Sequence, residues 1–215
     1  SGPQPIYRSK MPSIAITLGD PTSIGPEVAA ASLSVFLKKS DINIEVFAPS
    51  WALSPKNYPA LKKFFLSGRL RFSTEVSDLK KVSRPGRASG KIALDCLQAA
   101  TDACISKKHS ALVTGPVDKH LCSLTDPKFT GHTGYLEKRT RSKGTTMLMS
   151  GPDLQIALVT THIPLASVSK SLTQAKIVAT GKRVFEHLKR LQRSPKIAVC
   201  GLNPHASDNG LIGHE

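Results

Sequence analysis

Short runs of apolar and β-branched residues recur along the chain, and each run ends in Gly, Pro or a polar cluster. The runs cover residues 13–18, 110–114, 146–149, 154–160 and 196–200. Continuous apolar runs of this length are typical of strands that are covered on both faces. The pattern therefore predicts buried strands of a sheet packed between helices.

Helical patterns lie between these runs, at residues 26–39, 89–107 and 174–192. The first has Pro and Glu in its opening turn and Lys in its last turn, an order that suits the helix dipole. The segment 49–90 is broken by prolines, with one or two helical turns expected at 61–66. Strands that alternate with helices of this length predict an α/β fold with three layers, α/β/α.

Composition excludes several classes of protein. The 215 residues can bury a sizeable core, and no apolar run approaches the roughly 20 residues that span a bilayer, so we expect no membrane association. The four cysteines form no metal-binding or redox pair, which favours a reducing, cytoplasmic location. Residues 1–10 lack the apolar core of a secretory signal and are expected to be a disordered leader or a remnant of cloning.

The formal net charge is +15, from 30 Lys+Arg and 15 Asp+Glu. The basic residues are spread in short clusters and there is no long basic tail. Aromatic residues make up only 5% of the chain, which leaves few stacking platforms for single-stranded nucleic acid. A solvated basic surface or an anionic ligand is therefore favoured over nucleic acid.

Gly, Asp, Asn and His residues cluster where the apolar runs end, which is the edge at which open α/β sheets bind ligands. No G-x-G-x-x-G follows the first run, and Gly86–Lys91 lacks the spacing of a P-loop. His132, His162 and His205 each stand in a loop beside Gly, Pro, Thr or Asn. Any one of them is most simply a hydrogen-bonding loop residue, but three in equivalent positions favour a metal or substrate site.

Five short blocks carry a family resemblance in the right order. They are LGDPTSIGPE at 18–27, TGPVDK at 114–119, GHT at 131–133, THIPL at 161–165 and GLNPHA at 201–206. Together they resemble the 4-hydroxythreonine-4-phosphate dehydrogenases of pyridoxal phosphate biosynthesis.

The resemblance implies a role for four of these residues. His132 and Thr133 are expected to contact the substrate, and His162 and His205 to be metal ligands, with a third histidine ligand from a later block of the family. It assigns no catalytic and no cofactor-binding residue here. The implied fold is like that of isocitrate and isopropylmalate dehydrogenases, with lobes at 11–130 and 131–215, the second lobe incomplete.

The implied activity is metal-dependent, NAD- or NADP-linked oxidation and decarboxylation of 4-phosphohydroxy-L-threonine by a homodimer. The ion is expected to be of the Zn, Mg or Co class. The chain departs from the family pattern at Thr22, Ser23 and Gly134, and it ends before the family's C-terminal segment, so a truncated chain is expected. The alternatives are a paralogue that acts on a phosphorylated sugar acid and an inactive protein that binds a metal or a phosphorylated ligand. A basic nucleic-acid-binding module is a third alternative.

Overall fold

The computed structural model describes residues 13–191 and 194–214, and the predicted leader lies outside these residues. The chain divides into two compact units, Ser1–Ser142 and Lys143–Glu215. The lobe boundary predicted after residue 130 refers to the two lobes of the family fold, and it stays a prediction. In this structure the helix that follows residue 130 belongs to the first unit.

The first unit alternates strands and helices. In chain order its elements are β1 (Ser13–Thr17), α1 (Gly25–Lys39), β2 (Asn43–Phe47), α2 (Lys62–Leu66), β3 (Leu70–Phe72), α3 (Arg87–Ile105), β4 (Ala111–Thr114), α4 (Lys119–Ser123) and α5 (His132–Thr140), with short 3-10 turns at Ser50–Leu53 and Pro59–Leu61.

The four strands form one parallel sheet in the order β3-β2-β1-β4. Side chains alternate between its faces, so Ile44 and Val46 of β2 pack with α1 and α2, whereas Ala15 and Phe47 pack with α3. The chain adds β2 and β3 on one side of β1 and then crosses to add β4 on the other. The point between β1 and β4 is therefore a topological switch point, where sheets of this kind open a crevice beyond the carboxyl ends of their strands.

The second unit contains a smaller sheet. Its described elements are β5 (Met147–Ser150), β6 (Gln155–Leu158), α6 (Val168–Ser171) and α7 (Gln174–Arg190), with 3-10 turns at Leu165–Ser167 and Pro204–Gly210. Strands β5 and β6 form an antiparallel pair and are half-buried or exposed. Thr173 caps α7 through its side-chain oxygen, which accepts a hydrogen bond from the Lys176 N–H.

The predicted α/β class, with a sheet between helix layers, is confirmed for the first unit. The predicted strand at 196–200 is wrong, because the structure shows no strand there and Val199 is exposed. A strand needs a hydrogen-bonded neighbour, and none of the strands within residues 13–191 and 194–214 pairs with this run. In the described part of the chain no helix is long and apolar enough to cross a membrane.

Candidate functional site

Two strand-end loops of the first unit approach each other so closely that only glycine fits between them. The Asp20 N–H donates to the Pro116 carbonyl at 3.0 Å, and the Gly115 N–H donates to the Thr17 carbonyl at 2.8 Å. A methyl group on Gly19, whose φ is +74°, would lie 1.9 Å from the Pro116 oxygen. The glycines of both motifs therefore join the carboxyl ends of β1 and β4 at the switch point.

Asp20 follows directly and is buried. Its Oδ1 accepts hydrogen bonds from the backbone N–H of Thr22 at 2.8 Å and from the Thr22 hydroxyl at 2.7 Å. Its Oδ2 lies 3.0 Å from the Ser89 hydroxyl at the start of α3. With both oxygens occupied, Asp20 ties the β1–α1 loop to α3. Thr22, which departs from the family pattern, holds the other oxygen of the same carboxylate.

Helix α3 in turn supports α4. A methyl group on Gly90 would lie 2.3 Å from the carbonyl oxygen of Leu121, so the two helices touch through their backbones. The Asp118 side chain caps α4 by accepting a hydrogen bond from the Leu121 N–H at 3.0 Å. These contacts place Lys119, the first residue of α4, with its side chain exposed beside the start of α5.

Helix α5 begins with the two predicted substrate contacts. Gly131 is its N-cap residue with φ 134°, a conformation that favours glycine, and His132 and Thr133 follow in the first turn. The Thr133 side chain is exposed. Free N–H groups and the positive end of the helix dipole make this terminus suitable for an anionic group.

The imidazole of His132 packs edge-on against Phe129, with ring centroids 6.4 Å apart. Its Nε2 is buried, and within the described residues it has no hydrogen-bond partner. Burial lowers the pKa of His132, and the Lys119 ammonium lowers it further. His132 is therefore held as a neutral imidazole with one ring nitrogen still to be satisfied.

The two predicted metal ligands lie in the second unit and have exposed side chains. His162 follows β6 with φ 54°, and His205 is the second residue of the 3-10 turn Pro204–Gly210, with φ 50°. Among residues 13–191 and 194–214, no three His, Cys, Asp or Glu side chains are grouped so as to hold a metal ion. Both histidines stay predicted ligands, and imidazole chemistry suits a divalent ion.

The comparison with protein families decides where this chain belongs. The family described as pyridoxal phosphate biosynthetic protein PdxA matches residues 18–215. The chain belongs to the PdxA family. The matched range contains all five sequence blocks, and it includes the glycine-joined loops and the start of α5.

Curated relatives agree with that assignment. The 4-hydroxythreonine-4-phosphate dehydrogenase of Sulfurihydrogenibium sp. (strain YO3AOP1) is 32% identical over 218 residues, which cover 95% of this chain and 67% of the relative. The enzyme of the same name from Desulforapulum autotrophicum is 32% identical over 227 residues, which cover 95% of this chain and 65% of the relative. The chain thus spans about two thirds of the length of these PdxA relatives.

Solved structures show the same fold. A 4-hydroxythreonine-4-phosphate dehydrogenase from Klebsiella pneumoniae superposes with a TM-score of 0.76 at 26% identity, covering 96% of this chain and 68% of that one. One from Burkholderia phymatum gives a TM-score of 0.77 at 24% identity, covering 96% of this chain and 67% of that one. At this identity the similarity is evidence for the fold alone.

The sequence did not assign a role to Asp20, Ser89 or Lys119, although Asp20 and Lys119 lie within the PdxA blocks. The role of Asp20 could have been predicted from its position, because a carboxylate that directly follows a buried strand needs hydrogen-bond partners there. Nothing in the sequence pattern pointed to Lys119, because its relation to His132 comes from its side chain lying across Gly131 in the folded chain.

Proposed function

We propose that this chain carries the activity of its relatives, the NAD- or NADP-linked oxidation and decarboxylation of 4-phosphohydroxy-L-threonine. The observation that carries the proposal is the PdxA match over residues 18–215, which contains the first turn of α5 with its unsatisfied, neutral imidazole. We further propose that the protein acts as a homodimer in the cytoplasm.

In this reaction the hydride on the substrate's hydroxyl-bearing carbon passes to the nicotinamide, and the hydroxyl proton is released. The product is a β-keto acid, which loses its carboxylate as carbon dioxide when the carbon–carbon bond breaks. A divalent ion, when bound, polarises the hydroxyl and the ketone oxygen and so assists both steps.

The described residues have defined parts in this proposal. His132 and Thr133 bind the substrate at the start of α5, where the helix dipole favours an anionic group. His162 and His205 supply two imidazole ligands to the divalent ion. Two histidines alone do not complete a tetrahedral or octahedral shell, so the ion needs further ligands from groups other than these two.

The activity is tested by following NADH or NADPH formation from 4-phosphohydroxy-L-threonine with Zn²⁺, Co²⁺ or Mg²⁺ added. His132→Gln should raise KM roughly tenfold, the cost of one lost hydrogen bond to a charged ligand. His187→Gln, an exposed histidine on α7, is the control and should leave KM unchanged. Equal KM values for the two variants would remove His132 from the substrate site.

Metal binding is tested separately by titration calorimetry with each ion. A His162→Ala, His205→Ala double variant should lose binding, whereas His187→Ala should retain it. Ion binding without NADH formation would favour the inactive binding protein instead. Turnover of threonate or erythronate phosphate in place of 4-phosphohydroxy-L-threonine would identify a sugar-acid paralogue.

A further inference from the structure

Lys119 is held in a fixed position relative to the start of α5. It is the first residue of α4, whose N-terminus is capped by Asp118 and whose backbone touches α3 at Gly90. Its side chain runs past Gly131, so that a methyl group on that glycine would lie 3.3 Å from Lys119 Cε and 3.8 Å from its Nζ. Because Gly131 has no side chain, the lysine can pass the backbone immediately before His132.

The acidic residues around this turn already have partners. On α3, Asp95 pairs with Lys91 at 2.6 Å, and Asp102 accepts a hydrogen bond from Arg139 Nε at 2.7 Å. In the loop before α5, Asp126 accepts from the Lys128 backbone N–H at 3.0 Å.

The remaining charges belong to α4 and α5. Asp118 is engaged as the cap of α4, and His120 follows on the same helix. Glu137 lies more than one turn along α5 from its start. Lys119 forms no ion pair within 4 Å among residues 13–191 and 194–214, so its charge acts on the neighbouring imidazole without a counter-ion.

We propose that Lys119 is a positioning residue for His132, which keeps the imidazole uncharged while the substrate binds. The proposal rests on the proposed function, in which His132 contacts the substrate. Lys119 is an exposed basic side chain, whereas His132 is partly buried with an unsatisfied Nε2. A second positive charge on the imidazole would face both the lysine and the positive end of α5.

The consequence is a division of roles between the two side chains. The lysine supplies a positive charge beside the first turn of α5, and the neutral imidazole supplies a hydrogen-bonding nitrogen. Substrate contact through His132 is then less sensitive to pH across the range in which histidine ordinarily titrates. Without the lysine, burial alone would hold the pKa of His132 down, so the contact should be more sensitive to pH than in the unaltered chain.

The experiment is an NMR titration of the histidine ring signals in the whole chain. His132→Gln identifies the His132 signal by its disappearance. In Lys119→Met the pKa of His132 should rise, because removing a nearby cation favours the protonated ring. Lys119→Arg, which preserves the charge, should keep the pKa of His132 low. That result would show that the positive charge, and not the packing of the lysine side chain, lowers the pKa.

Lys38→Met is the matched control, since it removes the same charge from an exposed lysine in the last turn of α1. It should leave the pKa of His132 unchanged. The proposal is overturned if Lys119→Met leaves the pKa of His132 unchanged, or if Lys38→Met raises it equally. Because this readout needs no turnover, it separates failure of this proposal from failure of the proposed activity.

When the chain turns over substrate, the pH profile of KM provides a second readout. As pH falls, KM should begin to rise at a higher pH in Lys119→Met than in the unaltered chain and Lys119→Arg. A rise in KM that is equal at every pH would instead indicate that the lysine only contacts the substrate, and would overturn its role as a positioning residue.

Discussion

Glu45 is a buried carboxylate in the middle of β2, on the face of the sheet that α3 covers. Its Oε2 accepts hydrogen bonds from Arg71 at 2.7 and 3.0 Å, and its Oε1 accepts one from Lys108 at 2.9 Å. The buried His109 lies 3.5 Å away and is held by the Ser13 hydroxyl at 3.0 Å. These contacts lie toward the amino ends of β1 and β4, away from the glycine-joined loops.

Ionic contacts decide the charge of this glutamate. Burial raises the pKa of Glu45, but hydrogen bonds from Lys108 and Arg71 outweigh burial and hold it below the ordinary value of 4.5. Burial lowers the pKa of His109, although Glu45 partly offsets that effect. A carboxyl with a depressed pKa stabilises the fold at pH values above its unfolded pKa, and that stability is lost as pH falls through the folded pKa.

Glu45→Gln should therefore lower the free energy of unfolding by about 2–3 kcal/mol near neutral pH, since two cations lose their carboxylate. The difference from the unaltered chain should shrink in acid, below the ordinary pKa of 4.5. Urea unfolding at several pH values measures both effects. Glu75→Gln, at an exposed position, is the control, and equal losses in the two variants would contradict the role of Glu45.

At the scale of elements, two glycines with almost the same backbone conformation have different surroundings. Gly19 has φ +74° and Gly68 has φ +73°. A methyl group on Gly19 would collide with the Pro116 carbonyl, whereas one on Gly68 would meet no atom within 4 Å. The pair therefore separates the cost of a left-handed backbone from the cost of forcing two strand ends apart.

Gly68→Ala should cost about 1 kcal/mol of unfolding free energy, the price of a left-handed non-glycine residue. Gly19→Ala should cost about 3 kcal/mol or more, because the β1 and β4 loops must also move. Chemical denaturation compares the two variants directly. A Gly19→Ala loss no larger than that of Gly68→Ala would show that the close approach contributes nothing to stability.

Most of the helices and strands could be predicted from sequence patterns. The predicted helices 26–39, 89–107 and 174–192 correspond to α1, α3 and α7, and four of the five predicted strands are present. Strands β2 and β3 were missed, because β2 carries Glu45 inside its apolar run and β3 has only three residues in a proline-rich stretch. A buried acid is explained only by cations that the fold brings from β3 and from the loop before β4.

Less of the candidate site than of the fold could be predicted from the sequence. The histidines beside Gly and Pro were predicted to follow strands, but only His162 does so, since His132 begins α5 and no described strand precedes His205 directly. The ordered blocks gave His132 and Thr133 a role. Periodicity could not reveal that Asp20 reaches Ser89, 69 residues further along the chain. Nor could it show that Lys119 lies across Gly131, since both contacts depend on how separate helices pack.

At the scale of the whole molecule, burial is distributed unequally. Of the buried hydrophobic residues in the described chain, only Val184 belongs to the second unit, and all the others lie in the first. The β5–β6 pair has two strands and no fully buried residue. Because two-stranded sheets are marginally stable without further packing, the second unit should open more easily than the first.

Native-state hydrogen exchange tests this difference along the chain. The hydrogen-bonded amides of β1 and β2 should exchange only through global unfolding, so their exchange should accelerate steeply as denaturant is added. Those of β5 and β6 should exchange through a smaller opening, with a free energy at least about 2 kcal/mol lower and little dependence on denaturant. Equal free energies and equal denaturant slopes in the two sheets would show that the chain unfolds as one cooperative unit. In that case the scarcity of buried residues after Ser142 would not make the second unit less stable.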